Sequence, residues 1–525
     1  MVERLKKHQD PLNSLLLVWN QDTYDSATWT REAYTKIFEK FTYAKPSDFM
    51  SSDLHDFATD VLLTEYAYMQ NTVVLPPTAT EKNTESTPGF PKFTVYETEA
   101  EYLQAAGWSE YVEIYNADIP LTQRVCWWTF LKQETLKKEK IANNDIRMIM
   151  CTDPVYTRLG ACFEQHQNQR MKEHTETHQA QVGWTPFFGG IHQRLSRLEK
   201  KKGRSRSQFV ELDWTRFDGT IPTELLYHIK QIRFFFLASR YRTPHLKKLH
   251  EWYVSNLLDK IVLLPTGEVT RIIGGNPSGQ ISTTTDNNMV NTYLTAYEIA
   301  YLFKRVSGRC PTVDEYYANV DSICYGDDRL LAVNPDWLEY DTSVIPSFYK
   351  EVFGMWVKPQ NLKKQETLTG LSFCGFTFVK REGVYYGVPN VDKILSTFEN
   401  PNKLLPDLSA LWGKLISLRI LCEYADEKVK TYLDEQIYRI RVFASAENIE
   451  LPEVPDDFYH RVWTGGPKNA ERWRNQNPKE SVKAASSSAP WSALPQRQRR
   501  EQQRNLKHSN SVGPVGRGGP PESKE

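Results

Sequence analysis

The chain has 525 residues, 40% hydrophobic and 12% aromatic, a globular composition whose length suits several domains or one large multi-subdomain enzyme. Its formal net charge is zero, which argues against a protein that simply coats nucleic acid. Seven widely spaced cysteines without a C-x-x-C pair predict neither a disulfide framework nor a zinc ribbon and favour a reducing compartment. No apolar run reaches the roughly 18 residues that a membrane span needs.

Two zones depart from this neutral balance. Residues 131–206 carry 15 Lys and Arg against 8 Asp and Glu, and residues 465–525 carry 12 against 5. Basic zones on an otherwise acidic body attract a polyanion locally. On charge alone, a solvated helix face and a disordered tail are the simpler explanation. The tail arginines, such as Arg497 and Arg504, are nevertheless candidates for nonspecific RNA binding.

Hydrophobic periodicity predicts secondary structure along most of the chain. Residues 97–182 are predicted to be mostly helical, with an interruption near Asn143–Asn144. Further helices are predicted at 222–260, from a Gly/Ser/Thr-rich loop at 274–285 through about 304, and at about 403–449. Residues 207–213 predict a strand entering a turn, 319–333 a hairpin around Gly-Asp-Asp, and 371–389 further short strands. After about 465, few apolar residues remain, which predicts disorder.

Three segments carry the strongest chemical signal. They are Leu212–Gly219 (LDWTRFDG), Gly275–Gly279 (GNPSG) with Thr283 and Asn287 downstream, and Tyr325–Asp328 (YGDD). A lone Gly-Asp-Asp is weak, because such turns are common on surfaces. Nucleotidyl transfer, however, needs carboxylates from separate segments to hold two Mg²⁺ ions about 3.5–4 Å apart. Asp213 at a strand end and Asp327 in a hairpin turn meet that need if their strands are neighbours.

In order, spacing and identity, these segments resemble motifs A, B and C of the right-hand RNA-dependent RNA polymerases of positive-strand RNA viruses, and their wording is closest to the astrovirus polymerases. The resemblance implies an α+β right-hand fold of fingers, palm and thumb, with an antiparallel palm sheet and mostly helical fingers and thumb. It implies that Asp213 and Asp327 are the principal metal ligands and that Asp328 assists. The implied cofactor is a pair of Mg²⁺ ions, with Mn²⁺ as a possible substitute.

The same resemblance implies a substrate site. Asp218 and Asn287 match the pair that recognises the ribose 2′-hydroxyl, which a carboxylate and an amide can bind together. Thr283 matches the threonine that lies between Gly279 and Asn287 in this motif. Ser278 and Gly279 match a flexible loop beside the template, where Gly279 is expected to allow unusual backbone angles. The bland alternative for Asn287 is a helix cap or a surface polar residue.

Upstream, Lys132, Glu134, Lys140 and Arg147 resemble motif F, a basic finger over the incoming triphosphate. The alternative there is a solvent-exposed helix paired at i,i+4. Pro88 and Gly89 belong to a segment that resembles motif G, a template-entry loop.

Beyond the hairpin, residues 353–364 resemble motif D, whose lysine protonates the leaving pyrophosphate. Lys363 is nearest to the expected position, with Lys364 and Lys358 as alternatives. Residues 371–376 occupy the place of the primer grip, motif E, or form an ordinary buried strand. The histidines around His174 and His178 (with His166 and His192) are expected to be surface residues rather than metal ligands, because no glutamate or cysteine completes the pattern.

The expected domains are fingers at 1–205 and 220–270, palm at 206–219 and 271–390, thumb at 391–464 and a disordered basic tail at 465–525. Expected partners are an RNA template, the nascent strand and nucleoside triphosphates. The resemblance adds release from a larger frameshifted polyprotein, a genome-linked protein primer, other viral replicase proteins, and a location in host cytoplasmic replication complexes. Competing functions are a reverse transcriptase, which shares the palm, and a non-catalytic RNA-binding scaffold.

Overall fold

The structure is a computed structural model that describes residues 19–465, apart from 20–21, 29, 40–44, 118–121, 202–206, 400 and 403–404. The predicted disordered tail, with Arg497 and Arg504, lies outside the described residues except for Gly465. None of the described helices is both long and apolar enough to cross a lipid bilayer.

The described chain contains both helices and strands. The elements before residue 202 are β1 (Tyr24–Ser26), α1 (Arg31–Glu39), α2 (Asp53–Glu65), α3 (Glu99–Ala106), α4 (Ser109–Tyr115), β2 (Cys126–Leu131), β3 (Thr135–Lys137), α5 (Lys138–Ala142), β4 (Met148–Cys151), α6 (Pro154–Glu173) and α7 (Gly190–Lys201). The middle elements are β5 (Gln208–Glu211), β6 (Trp214–Thr215), α8 (Phe217–Thr220), α9 (Thr223–Phe236), α10 (Pro244–Leu258), β7 (Asp259–Leu263), β8 (Val269–Ile273), α11 (Thr283–Ser307), α12 (Val313–Asn319), β9 (Val320–Tyr325) and β10 (Asp328–Val333). The last elements are α13 (Ile345–Phe353), β11 (Trp356–Val357), β12 (Lys363–Gln365), β13 (Ser372–Phe373), β14 (Phe376–Arg381), β15 (Val384–Pro389), α14 (Val391–Glu399), α15 (Leu408–Leu421), α16 (Glu427–Ala446) and α17 (Phe458–Thr464).

A four-stranded antiparallel sheet lies at the centre, in the order β12-β5-β10-β9. Successive side chains of a strand point to opposite faces, so this sheet buries two different sets of residues. The set that packs with α7 is Phe209, Ile323, Leu330 and Ala332. The set that joins the large core around α2 and α11 is Val210, Val320, Leu331 and Val333. Burial on both faces explains why the predicted hairpin at 319–333 is so apolar, and the structure confirms that hairpin.

A second sheet, in the order β4-β2-β7-β8, corrects the prediction that 97–182 is mostly helical. The sequence of β2, CWWTFL, is aromatic and β-branched, and its side chains are alternately half-buried and buried, as in a strand packed on one face. Its parallel partner β7 lies more than 130 residues away, with Cys126 opposite Ile261. Periodicity in a short window does not reveal such a partner, which is why the strands were missed.

The C-terminal helices form a separate apolar cluster. Residues of α15 and α16 pack together around Leu415, Leu433 and Ile440. Helix α17 joins this part to the sheet of β13, β14 and β15, because Trp463 donates to the Ile420 carbonyl and packs edge-on against Phe376. The predicted domain boundaries remain predictions. Strand β8 continues to Ile273, just beyond the expected start of the palm at 271.

Of the histidines expected at the surface, His166 is buried, contrary to expectation, whereas His174, His178 and His192 are half-buried. The ring of His174 stacks on Tyr68 with centroids 4.3 Å apart, and His166 is buried, where its Nδ1 accepts a hydrogen bond from the Val73 backbone. His192 accepts from the Tyr385 backbone. Aromatic packing and backbone hydrogen bonding therefore account for these side chains. In the part of the chain that the structure describes, no group of three or more His, Cys, Asp or Glu residues forms a metal cluster.

Candidate active site

Asp213 lies where strand β5 ends and β6 begins. The Lys358 backbone N–H donates to the Asp213 carbonyl at 3.0 Å, and β6 pairs with β11 through Thr215 opposite Trp356. The chain therefore changes from the central sheet to a second short ladder at Asp213. This change leaves its half-buried side chain at the end of the sheet rather than within it.

Asp327 occupies the two-residue turn between β9 and β10. Gly326, the first turn residue, has a φ of +60°, as a tight hairpin turn requires. Helix α11 holds this turn, because the Gly326 N–H donates to the Asn288 side chain at 2.7 Å and the Asn291 amide donates to the Gly326 carbonyl at 3.0 Å. Asn288 and Asn291 were missed in the sequence, although several asparagines in a buried helix are unfavourable for helix formation and therefore a signal.

Sheet register brings the two carboxylates together. Strand β10 pairs with β5 through Leu330 opposite Glu211, so the first residues of β10 and the last residues of β5 lie at the same end of the sheet. Burial raises the pKa of Asp327, and the negative charge of Asp213 raises it further. Two carboxylates that repel one another in a shared space, with Lys358 and Arg147 opposing that repulsion only in part, form a set of hard oxygen donors that fits Mg²⁺.

The Asp328 side chain is bound to a different segment from those that hold Asp213 and Asp327. Its Oδ2 accepts the Cys374 backbone N–H at 2.6 Å, in the turn between β13 and β14. Burial raises the pKa of Asp328 to about 7; the Cys374 hydrogen bond opposes this rise, while the charges of Asp327 and Glu211 add to it. Asp328 thus connects the hairpin to the segment that resembles motif E. Its assisting role as a metal ligand stays a prediction.

Of the three candidate lysines, the structure brings Lys358 to the site. Its Nζ lies 2.9 Å from Asp213 Oδ2, and the Asn361 amide donates to the same oxygen at 2.9 Å. Lys364 pairs with Glu339 at 2.8 Å, and Lys363 is exposed on β12. The assignment of Lys363 as the proton donor stays a prediction, while Lys358 is the lysine in contact with a predicted metal ligand.

Asp218 and Asn287 meet as expected from their spacing. Asn287 Nδ2 donates to Asp218 Oδ1 at 2.6 Å, which joins α8 to the first turns of α11. Burial raises the pKa of Asp218 to about 6, and the charge of Asp327 contributes, while Asn287 and Arg147 oppose the rise. Thr283 donates to the Pro277 carbonyl at 2.8 Å and so closes the preceding loop. The pair therefore lies within the electrostatic reach of the carboxylate site.

The loop before α11 packs against β4. Ser278 Oγ donates to the Met148 carbonyl at 3.2 Å, and a Cβ added to Gly279 would lie 1.7 Å from the Met150 carbonyl oxygen. Gly279 is not in the left-handed region, so the expectation of unusual backbone angles is wrong. Glycine is required there because two backbones approach closely. The predicted template contacts of Ser278 and Gly279 stay predictions.

The motif F segment is a strand and a short helix, β3 and α5, so the alternative of one continuous solvent helix is wrong. Arg147 binds Glu134 through two hydrogen bonds, one of them 2.7 Å long, and Lys132 lies 3.8 Å from Glu134. The hydrogen bond to Glu134 raises the pKa of Arg147, and the charges of Asp218 and Asp327 raise it further. Arg147 therefore lies within electrostatic reach of Asp218 and Asp327, and both Arg147 and Lys140 are exposed to solvent.

Pro88 and Gly89, the predicted template-entry residues, are buried against the segment that follows β4. Gly89 has a φ of +66°, and a Cβ there would lie 2.4 Å from the Thr152 carbonyl oxygen. This contact places the motif G segment beside β4, the strand that also supports the Ser278–Gly279 loop. A template contact for Pro88 and Gly89 stays a prediction.

A right-hand arrangement with paired carboxylates at a sheet edge defines a class of nucleic-acid polymerase, and comparison with known families agrees. A family model described as "Viral RNA-dependent RNA polymerase" matches residues 1–437. The chain therefore belongs to the viral RNA-dependent RNA polymerases, a family of RNA-directed RNA polymerases.

More particular similarities point to astroviruses, as the motifs indicated. The chain is 55% identical over 466 residues to the non-structural polyprotein 1AB of Turkey astrovirus 2, a match that covers 88% of this chain and 28% of that protein. It is 42% identical over 478 residues to the polyprotein 1AB of Human astrovirus-1, covering 89% and 32%. The chain thus spans less than a third of the length of these relatives.

A solved structure, the Sicinivirus 3Dpol RNA dependent RNA polymerase, is similar in fold. The TM-score is 0.62 with 16% sequence identity, and the match covers 89% of this chain and 94% of that chain. This similarity confirms the predicted α+β right-hand fold.

Proposed function

We propose that the chain extends an RNA 3′-OH on an RNA template by transferring ribonucleoside monophosphates from nucleoside triphosphates, and so replicates and transcribes a positive-strand viral RNA genome. The observation that carries the proposal is the convergence of Asp213 and Asp327 at one sheet edge, within reach of the Asp218–Asn287 pair. Family membership supports the reaction, and the site supplies residues for each part of it.

Two Mg²⁺ ions, or Mn²⁺ in their place, would be held by Asp213 and Asp327 with help from Asp328. When bound, such ions activate the attacking hydroxyl and neutralise charge on the triphosphate. Before they bind, the Lys358 ammonium partly balances Asp213.

Substrate selection is assigned to Asp218 and Asn287. The Asp218 carboxylate accepts a hydrogen bond from the ribose 2′-hydroxyl, and the second N–H of the Asn287 amide donates to the hydroxyl oxygen. Arg147, held by Glu134 and within electrostatic reach of the carboxylates, supplies a cation for the triphosphate. Lys132 and Lys140 are proposed to assist at longer range.

The test is primer extension by the purified protein on a defined RNA, with Mg²⁺ and in parallel with Mn²⁺. Asp213→Ala and Asp327→Asn are expected to lower the extension rate at least about a hundredfold, because each removes a ligand charge. Asp336→Asn, an exposed aspartate beyond the other end of β10, is the matched control and is expected to extend normally. Undiminished extension by Asp327→Asn would refute the catalytic assignment and favour a scaffold.

The same assay separates this function from a reverse transcriptase. Extension with ribonucleotides is expected to exceed extension with 2′-deoxyribonucleotides, because Asp218 offers an acceptor to the 2′-hydroxyl rather than a bulky group that excludes it. Preference for deoxyribonucleotides would reject the proposal.

We also propose that the enzyme works in the host cytoplasm within viral replication complexes, with a genome-linked protein as primer and other replicase proteins as partners. The support is that its relatives are polyproteins of which the matched stretch is less than a third. A priming assay with and without the genome-linked protein, and fluorescence localisation in infected cells, test the two parts separately.

A further inference from the structure

Four ionic side chains, two acidic and two basic, lie buried beneath the Asp218–Asn287 pair. Asp286 Oδ2 lies 2.6 Å from the Lys230 ammonium, and Asp286 Oδ1 accepts a hydrogen bond from Arg233 at 2.7 Å. Glu164 lies 2.8 Å from Lys230 and 3.3 Å from Arg233. All four are at most 1% exposed, so the cluster is charge-balanced and removed from water. A carboxylate can only accept hydrogen bonds, so Asp286 dictates the orientation of any amide that touches it.

Gln280 is the amide that touches this cluster. Its Nε2 donates to Asp286 Oδ2 at 2.9 Å, and its Oε1 lies 3.4 Å from the Lys230 ammonium. The reverse orientation would place oxygen against the carboxylate and N–H against the ammonium. The second N–H of Gln280 donates to Asn276 Oδ1 at 2.6 Å, so the direction imposed by Asp286 passes to the next amide.

Asn276 passes the same direction to Asn287. With its oxygen occupied by Gln280, Asn276 donates to Asn287 Oδ1 at 2.8 Å and to the Thr283 carbonyl at 3.1 Å. Asn287 must then turn its nitrogen toward Asp218, which it does at 2.6 Å. Donation therefore starts at Gln280, which donates both to the buried Asp286 carboxylate and to Asn276. It continues in one direction from Asn276 to Asn287 and from Asn287 to Asp218. Asn276 and Gln280 are both more than nine-tenths buried, so water does not compete for these contacts.

We propose that Asn276 and Gln280 are positioning residues for ribose recognition, which hold the Asn287 amide in the one orientation that presents N–H groups to Asp218 and to a substrate 2′-hydroxyl. The proposal deepens, and rests on, the proposed role of Asp218 and Asn287. A reversed Asn287 amide would face Asp218 with its oxygen, and both partners would then be acceptors. The expected consequence is loss of discrimination between ribonucleotides and deoxyribonucleotides rather than loss of the chemistry.

The readout is the ratio of kcat/KM for a ribonucleoside triphosphate to that for its 2′-deoxy analogue. Asn276→Leu removes the donor to Asn287 at similar volume. The ratio is expected to fall about tenfold, the equivalent of one hydrogen bond, through the ribonucleotide kcat/KM, while the deoxyribonucleotide value changes little. A merely structural defect would lower both values together.

A second variant keeps the charge of the cluster. Gln280→Glu combined with Asp286→Asn moves one negative charge from Asp286 to the side chain that it contacts at position 280. The direction of donation is then reversed, because the glutamate at position 280 can no longer donate to Asn276. The same fall in the ratio is expected, with a melting temperature that is checked against the wild type. Asn256→Leu is the matched control, a buried asparagine whose amide binds the Val125 and Trp252 backbones elsewhere in the fold, and it is expected to keep the wild-type ratio.

Asn287→Ala separates the proposed ribose contact of Asn287 from the proposed orientation of its amide by Asn276 and Gln280. If this variant loses discrimination while Asn276→Leu and the double variant keep the wild-type ratio, the positioning role of Asn276 and Gln280 is wrong and the role of Asn287 stands. If Asn287→Ala itself keeps the wild-type ratio, both the proposed ribose contact of Asn287 and the positioning role of Asn276 and Gln280 are wrong.

Discussion

The close approach of Gly279 to strand β4 leads to a sharp prediction for Gly279→Ala. The added Cβ would lie 1.7 Å from the Met150 carbonyl oxygen and 3.0 Å from Cys151 Cα. Both atoms are backbone of a strand hydrogen-bonded to β2, so the strand cannot yield easily. The loop must therefore retreat by more than about 1 Å, a displacement that typically costs about a hundredfold in rate when it misplaces substrate-binding groups. Ser278 and the start of α11 with Asn287 would move with it.

The assay is single-nucleotide primer extension, with kcat/KM measured for Gly279→Ala and for the wild type, and with melting temperatures to show that both are folded. Gly413→Ala, inside helix α15 with no atom within 4 Å of the new Cβ, is the matched control. It is expected to keep activity and to gain up to about 1 kcal/mol in stability, because alanine favours helix over glycine. Wild-type kcat/KM in Gly279→Ala would mean that the loop does not rest on β4 during catalysis.

Two further predictions concern buried or paired lysines. Lys358→Met removes the cation that pairs with Asp213 and is expected to lower the Mg²⁺ concentration for half-maximal binding up to about fivefold, since a partly exposed pair contributes about 1 kcal/mol at most. Lys364→Met is the control. An unchanged Mg²⁺ titration in Lys358→Met would count against competition between Lys358 and Mg²⁺ for Asp213. Burial lowers the pKa of Lys260 to about 7, and its ammonium contacts the Leu257 and Gly274 carbonyls. The folded state thus binds this proton more weakly than the unfolded chain, whose lysine pKa is about 10.4; stability should rise between pH 7 and 9 by about 2–3 kcal/mol from this group. Lys260→Met should flatten that part of the melting profile, and an unaltered profile would show that the lysine stays charged in the fold.

Much of the active site could be predicted from the sequence. Asp213, Asp327, Asp218 and Asn287 could be singled out because their motifs resemble those of viral polymerases in order and identity, and the structure brings these residues into one region. Their catalytic and substrate-binding roles stay predictions. The hairpin around Gly326 was also predictable, since a turn signal between two apolar runs is a local feature.

Other parts required the fold. Strand β2 pairs with β7, and short-range periodicity does not reveal a partner so distant in the chain. Lys358 rather than Lys363 contacts Asp213, because β11 pairs with β6 and positions the residue after it. The reason for Gly279 was misjudged, since a close approach between backbones leaves no mark on the residue itself other than the absent side chain.

The order and identity of the acidic motifs, and with them the resemblance to viral RNA-dependent RNA polymerases, are carried by the sequence alone, because each motif is a short run of neighbouring residues. Tertiary structure decided which lysine balances Asp213 and which amides orient Asn287. Those outcomes depend on distances and hydrogen-bond directions between residues far apart in the chain, and only strand register and helix packing determine them.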